Sequence, residues 1–194
     1  MNKIAAFPLD LVLLPNELVA LHLYEERYLQ LVEDYQNGSP FIIVYKDADK
    51  ITNYGSLVKI DQLAERFPDG TMDIIIKGIN GVIIDKFYEV MEGDKLYPFV
   101  EGNVIYRNGD ISPKVKDAFK ICLDKMGKSI ASKKEKKMDL FYIAHRIGLD
   151  NSHKKEMMLL KDNKEMNSYL YHQIKFIKCC FDQEEKLKSK FHLN

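Results

Sequence analysis

The sequence predicts an α+β protein, with a small closed or nearly closed β-barrel over residues 1–107 and a helical bundle ending in a long helix over 108–194. Three observations predict it. Tyr54 to Phe67 and Thr71 to Ile84 are β-branched, partly alternating runs separated by Pro68-Asp69-Gly70. Proline presets φ, aspartate bonds the following backbone and glycine accepts φ > 0, so these residues turn a hairpin. Short apolar runs flank it, giving about six strands with one helix inserted, the pattern of a small barrel. At Arg107-Asn108-Gly109-Asp110 the apolar period changes from 2 to 3.6.

Taken in order, Phe7 to Leu14 is almost wholly apolar, and Pro15-Asn16-Glu17 turns the chain into a short strand, Leu18 to Leu23. Tyr24, Tyr28, Leu31, Val32 and Tyr35 then lie on one stripe of a helix whose other face is acidic, and Asn37-Gly38 ends it. Phe41 to Tyr45 is a buried strand. In the hairpin, Val58 and Ile60 alternate with Lys59 and Asp61, so one face is wetter. Gly78 and Gly81 predict a bulge or corner before Val82-Ile83-Ile84, and Tyr97 to Tyr106 is the last strand. Ser112 and Pro113 are an N-cap and first helical residue, with Val115, Phe119, Cys122, Leu123 and Met126 on one stripe as far as Gly127. A second helix carries Leu140, Ile143, Ala144 and Ile147 to Gly148, and Ser152 caps a third through Leu160. The last runs from about Asn163 to Lys190 on Met166, Leu170, Ile174, Ile177 and Phe181.

At 194 residues the chain is long enough for one large domain or two small ones. No apolar run approaches the roughly 20 residues that span a bilayer. Pro8 and Asp10 interrupt the N-terminus before a signal-peptide core forms, so a cytoplasmic protein away from membranes is expected. Cys122, Cys179 and Cys180 are odd in number and two are adjacent, which predicts reduced, buried thiols rather than a disulfide framework. Net charge is zero but unevenly divided: residues 1–107 hold 10 Lys and Arg against 17 Asp and Glu, and residues 108–194 hold 19 against 12.

Residue types that carry chemistry do not converge on a motif. Lys128-Ser129 is the nearest approach to a serine–lysine pair in the helical half, but a catalytic lysine needs burial and this one lies in a polar connection. His172 and Cys179 share a helical face, yet zinc sites use close pairs such as Cys-x-x-Cys, so core thiols are expected and no metal. His22, His145, His153 and His192 have no Ser, Cys or Asp at motif spacing. Lys77-Gly78-Ile79-Asn80-Gly81-Val82 lacks the glycines and following helix of a nucleotide loop, and no Gly-x-x-x-x-Gly-Lys-[Ser/Thr] occurs, so no cofactor is predicted.

With these residues in view, the chain resembles the amino-terminal, substrate-binding region of the ATP-dependent Lon proteases. The resemblance is carried by Phe7-Pro8-Leu9 with Val12-Leu13-Leu14-Pro15, by Leu21-His22-Leu23-Tyr24-Glu25-Glu26-Arg27-Tyr28, and by Tyr54-Gly55-Ser56-Leu57-Val58. Phe67-Pro68-Asp69-Gly70-Thr71 leading to Ile74-Ile75-Ile76-Lys77-Gly78 is its most specific part, and Ile143-Ala144-His145-Arg146-Ile147-Gly148-Leu149 resembles the family's helical half. The resemblance implies a PUA-like barrel, a helical bundle and a non-catalytic, stand-alone binding role, since the ATPase and protease segments have no counterpart in these residues. The implied partner is an unfolded client or another protein, with no DNA. Tyr54, Leu63, Phe67, Pro68 and Met72, on or near the hairpin, are the candidate substrate-binding residues. PUA-like folds include RNA binders, so RNA binding through the basic half is the alternative, although its lysines are spread among acids rather than set in a dense stripe. A homodimer through the terminal helix is a further expectation.

Overall fold

A computed structural model describes residues 3–89, 93–127 and 138–191. Lys128-Ser129, Lys133 to Lys137 and His192 lie outside them. The chain divides into two compact units, Met1–Arg107 with Asp150–Met158, and Asn108–Leu149 with Leu159–Asn194. Residues 150–158, expected in the helical half, thus belong with the strands.

The first unit is a mixed six-stranded sheet: β1 (Ile4–Leu9), β2 (Leu18–Leu23), β3 (Phe41–Asp47), β4 (Lys50–Arg66), β5 (Met72–Tyr88) and β6 (Phe99–Ile105). The order is β2-β5-β4-β3-β1-β6, with β1 parallel to β3, and β6 also pairs with β5, which closes the order on itself. The expected hairpin is β4–β5, with arms of 17 residues each, longer than the alternation alone suggested. Its turn is closed by Gly70 N–H to Phe67 O (3.0 Å) and Phe67 N–H to Thr71 O (2.9 Å), while Asp69 accepts from both the backbone and the hydroxyl of Thr71. Gly70 sits at φ +91°, the left-handed region glycine favours.

The predicted bulge falls between Gly78 and Asn80. Leu57 pairs with Asn80 and Val58 with Gly78, leaving Ile79 as the extra residue. The backbone approaches closely at this point: Gly78 and Glu17 share a hydrogen bond of 2.9 Å, and a Cβ on Gly78 would overlap the Leu14 carbonyl oxygen. The bulge therefore holds the chain segment between β1 and β2.

Helix α1 (Glu26–Tyr35) buries Tyr28, Leu31 and Val32 on the strands, with Phe7, Phe41, Met72, Ile74 and Ile76 in the same core. Tyr24, expected on its stripe, precedes the helix and is 70% exposed, because Glu25 is the N-cap.

In the second unit, α2 (Pro113–Lys125) is capped by Ser112 and followed by Gly127 at φ +63°, as the sequence predicts. Helix α3 (Leu140–Arg146) is capped by Asp139 and followed by Gly148 at φ +78°. Then α4 (Asn151–Leu159) begins two residues earlier than expected, with Asp150 rather than Ser152 accepting from the N–H of His153 (2.8 Å). Helix α5 (Asn163–Phe191) buries Met166, Leu170 and Ile174. Asn167 on α5 accepts from the Ser112 N–H (2.7 Å) and donates to the Asp110 carbonyl (2.9 Å), which ties the start of α2 to α5. Cys122 is buried and its thiol is pushed up by that burial, but Cys179 and Cys180 are exposed, correcting the expected buried set. The apolar stripe of α5 does not pass through them.

Candidate functional site

The five sequence-predicted residues separate into two groups. Tyr54 is 0% exposed and Met72 2%, so neither can touch a partner while the fold is intact. Both are corrected to interior positions, for a reason of strand phase. Met72 shares a face with Ile74 and Ile76, which look into the core under α1. Tyr54 opposes Ile83 and its ring lies against Gly81, beside which Met158 of α4 also packs. Burial pushes the Tyr54 phenol far up, and its hydroxyl has no hydrogen-bond partner among the described residues.

Leu63 (41% exposed) and Pro68 are on the surface, and Phe67 is half-buried. They do not form one patch. Leu63 pairs with Ile74, on the core-facing side of the sheet, where the neighbouring Arg66 reaches Glu33 of α1 at 3.2 Å. The Phe67 ring instead meets the His22 ring edge-on with centroids 5.9 Å apart, and His22 Nδ1 lies 2.7 Å from Asp73 on the outer face. The hairpin tip thus offers apolar atoms on both sides of a three-stranded ribbon of β2, β5 and β4.

Two features escaped the sequence. One is a groove of about 680 Å³ in the first unit, floored by Phe7, Leu9, Tyr28, Ile51 and Phe87. Its rim is charged, and both of its cations are paired: Arg27 is held by Glu25 at 2.7 Å and Lys46 by Asp49 at 2.7 Å. Its floor draws on β1, α1, β4 and β5, so no local pattern could reveal it. The other is the fastening of α4. Lys154, itself buried, meets the buried carboxylate of Glu17 at 2.5 Å and donates to the Val12 carbonyl at 3.3 Å, while Glu17 also accepts from the Leu14 N–H at 2.9 Å. Asn151 accepts from the Val12 N–H and donates to Asp10. Strands, loop and helix are joined by polar groups that satisfy one another.

Among the described residues no group of three or more His, Cys, Asp or Glu side chains is placed to hold a metal, and no helix is long and apolar enough to cross a membrane. The unit boundaries retain the charge division. The first unit holds 12 Lys and Arg against 19 Asp and Glu, a net −7, and the second holds 17 against 10, a net +7.

These elements define a class: a mixed α+β protein, a six-stranded sheet with helices, that presents apolar side chains and a groove with a charged rim. The family follows from sequence. The chain belongs to the ATP-dependent protease La (LON) substrate-binding domain family, whose model matches residues 3–188. The fold is similar to that of a Lon N-terminal domain protein from Xanthomonas campestris, with a TM-score of 0.66 and 19% identity over 90% of this chain and 98% of that one. It is also similar to the N-terminal domain of the Lon protease of the Mycobacterium avium complex, with a TM-score of 0.61 and 16% identity over the same shares. No curated protein sequence matches the chain.

Proposed function

We propose that the first unit binds polypeptide, either an unfolded client or a partner protein, without acting on it chemically. The observation that carries this reading is the family match over residues 3–188, because the family is one of substrate-binding domains and its parent enzyme is a protease, whose substrates are polypeptides. Leu63, Phe67 and Pro68 at the hairpin tip support it as contact residues; Met72 packs in the core beside them, and Tyr54 is interior at the other end of the hairpin. The closed strand pairings support describing the unit as a PUA-like barrel, and the stripes of α2, α3 and α5 support a helical bundle in the second. Phe176 and Leu187 are exposed eleven positions apart on α5, hence on one helical face, and a homodimer through that helix would bury them. The RNA alternative gains no observation beyond the +7 charge of the second unit.

The test is an amide-resolved NMR titration of the whole chain with a reduced, unfolded client protein. Shifts confined to the first unit are expected. Absence of any shift at client concentrations up to the millimolar range would remove the reading, and sedimentation of the same samples reads the dimer.

A further inference from the structure

The outer part of the hairpin forms a three-stranded sheet in the order β2-β5-β4, which has two open edges among the described residues. β3 leaves β4 at Val58, so Lys59 to Arg66 make one edge, and β2 makes the other. The two are built differently. The β4 edge carries register shifts at Ile60/Gln62 and Leu63/Glu65, together with Lys59, Asp61, Glu65 and Arg66. Bulges and charges are the devices by which natural sheets prevent a second chain from pairing. β2 has neither: Leu18 to Leu23 pair with Lys77 to Met72 in unbroken register, with no proline, lysine or acidic residue.

The backbone groups that β2 leaves over can be identified. Gly78 N–H donates to the Glu17 carbonyl at 2.9 Å, which sets the phase of the ladder. Antiparallel strands alternate hydrogen-bonded and non-hydrogen-bonded pairs, so Val19, Leu21 and Leu23 use their backbone groups on β5. The N–H and C=O groups of Leu18, Ala20 and His22 then face away from it. The side chains of these same residues are exposed, Leu18 by 53%, while Val19 and Leu21 are half-buried at the margin of the core.

We infer that the β2 edge is a docking edge: an extended segment of a partner polypeptide adds beside β2 as a further strand, bonded to the backbone of Leu18, Ala20 and His22. The inference rests on the polypeptide-binding reading and names its mode. Backbone pairing accepts many sequences alike, which suits a substrate-binding domain. The occupant is apolar on alternate residues, to cover Val19 and Leu21, and basic on others, because the unit it meets carries a net −7. A second copy of β2 would bring a second −7 unit to the same edge and is disfavoured for that reason.

The probe is a synthetic ten-residue peptide alternating valine with lysine and threonine, added to the whole chain and followed by amide hydrogen exchange. Protection is expected to rise at Leu18, Ala20 and His22 and to change little at Val19 and Leu21, which are already in the ladder. Ala20→Pro removes an outward N–H that the native sheet does not use, so proline is tolerated there, and binding should weaken by about tenfold or more. Ala20→Thr, which keeps the N–H, should bind as the parent does. Peptide binding that protects other amides and ignores Ala20→Pro would overturn the docking edge and leave polypeptide binding standing. No binding of peptide or unfolded client would remove both. A concentration-dependent dimer abolished by Ala20→Pro, without peptide binding, would make the occupant a second copy and overturn the inference. Should Ala20→Pro lose its circular dichroism signature, the exchange pattern of the parent protein decides alone.

Discussion

Replacing Lys154 with methionine tests whether α4 is integral to the first unit. The lysine and Glu17 form a buried pair at 2.5 Å, with side chains 10% and 4% exposed, and 137 residues separate them in the chain. Lys154→Met preserves most of the volume but leaves a buried carboxylate without its ammonium and the Val12 carbonyl without its donor. Removing one member of such a pair costs about 3–5 kcal/mol. With a urea m-value of about 2 kcal/mol/M, the midpoint should fall by about 1.5–2.5 M. The double variant Lys154→Met/Glu17→Gln separates charge from packing. Glutamine keeps an acceptor for the Leu14 N–H and carries no charge, so the double variant should recover most of the loss. The assay is urea unfolding at pH 7 followed by far-UV circular dichroism and by tyrosine fluorescence, which reports cleanly because the chain has 11 tyrosines and no tryptophan. A single variant within about 0.5 M of the parent, or a double variant no better than the single, would refute the reasoning. So would an unchanged midpoint with fast amide exchange confined to residues 151–159, since α4 would then be detachable.

Tyr54→Phe should be neutral or raise stability by about 1 kcal/mol in thermal unfolding, because it removes a buried hydroxyl that has no partner among the described residues. Asp34 accepts from the Tyr97 hydroxyl at 2.7 Å and from Lys95 Nζ at 2.9 Å, and these bonds, Tyr97 first, hold the Asp34 carboxyl below its ordinary value. A depressed carboxyl stabilises above its unfolded value and loses that contribution as pH falls through the folded one. Tyr97→Phe should therefore cost about 1 kcal/mol at neutral pH, a difference that narrows below about pH 4 in urea melts. Gly78→Ala should cost about 2–3 kcal/mol, since the new Cβ meets the backbone carbonyl of Leu14, which cannot move aside without disturbing the bulge. Gly70→Ala, in open space at φ +91°, should cost only about 1 kcal/mol, from the left-handed backbone alone.

The parts of this fold that could be read in the sequence are those whose cause is local. Pro68-Asp69-Gly70 makes its own turn, Ser112-Pro113 and Gly127 bound their own helix, and Gly78 with Gly81 mark a bulge that the register contains. Helix α4 lies among the helices in sequence, yet it belongs with the strands. Only the fold brings Glu17 to Lys154 and so makes that lysine an interior residue. Tyr54 and Met72 failed as surface candidates for a related reason. Period 2 says that alternate residues share a face, but which face is buried depends on where α1 and α4 pack.

The same distinction bears on where recognition occurs. A hairpin is conspicuous in sequence because turn chemistry is concentrated at its tip, yet a tip residue such as Pro68 contributes a single side chain to any contact. An edge strand contributes a row of backbone donors and acceptors, and being an edge is a property of topology that no stretch of sequence displays. Leu18 to Leu23 reads as a short apolar strand like any other, and only the strand order leaves it at the end of the sheet. Of the two edges there, the β4 edge is bulged and charged while β2 is regular in register and carries no lysine, arginine or acidic residue. An open, regular apolar strand invites unwanted pairing, a liability that proteins ordinarily remove. A regular strand without bulge, lysine or acidic residue on one edge, beside a bulged and charged strand on the other, is the physical argument for placing an extended chain along β2, next to the apolar side chains of the hairpin tip.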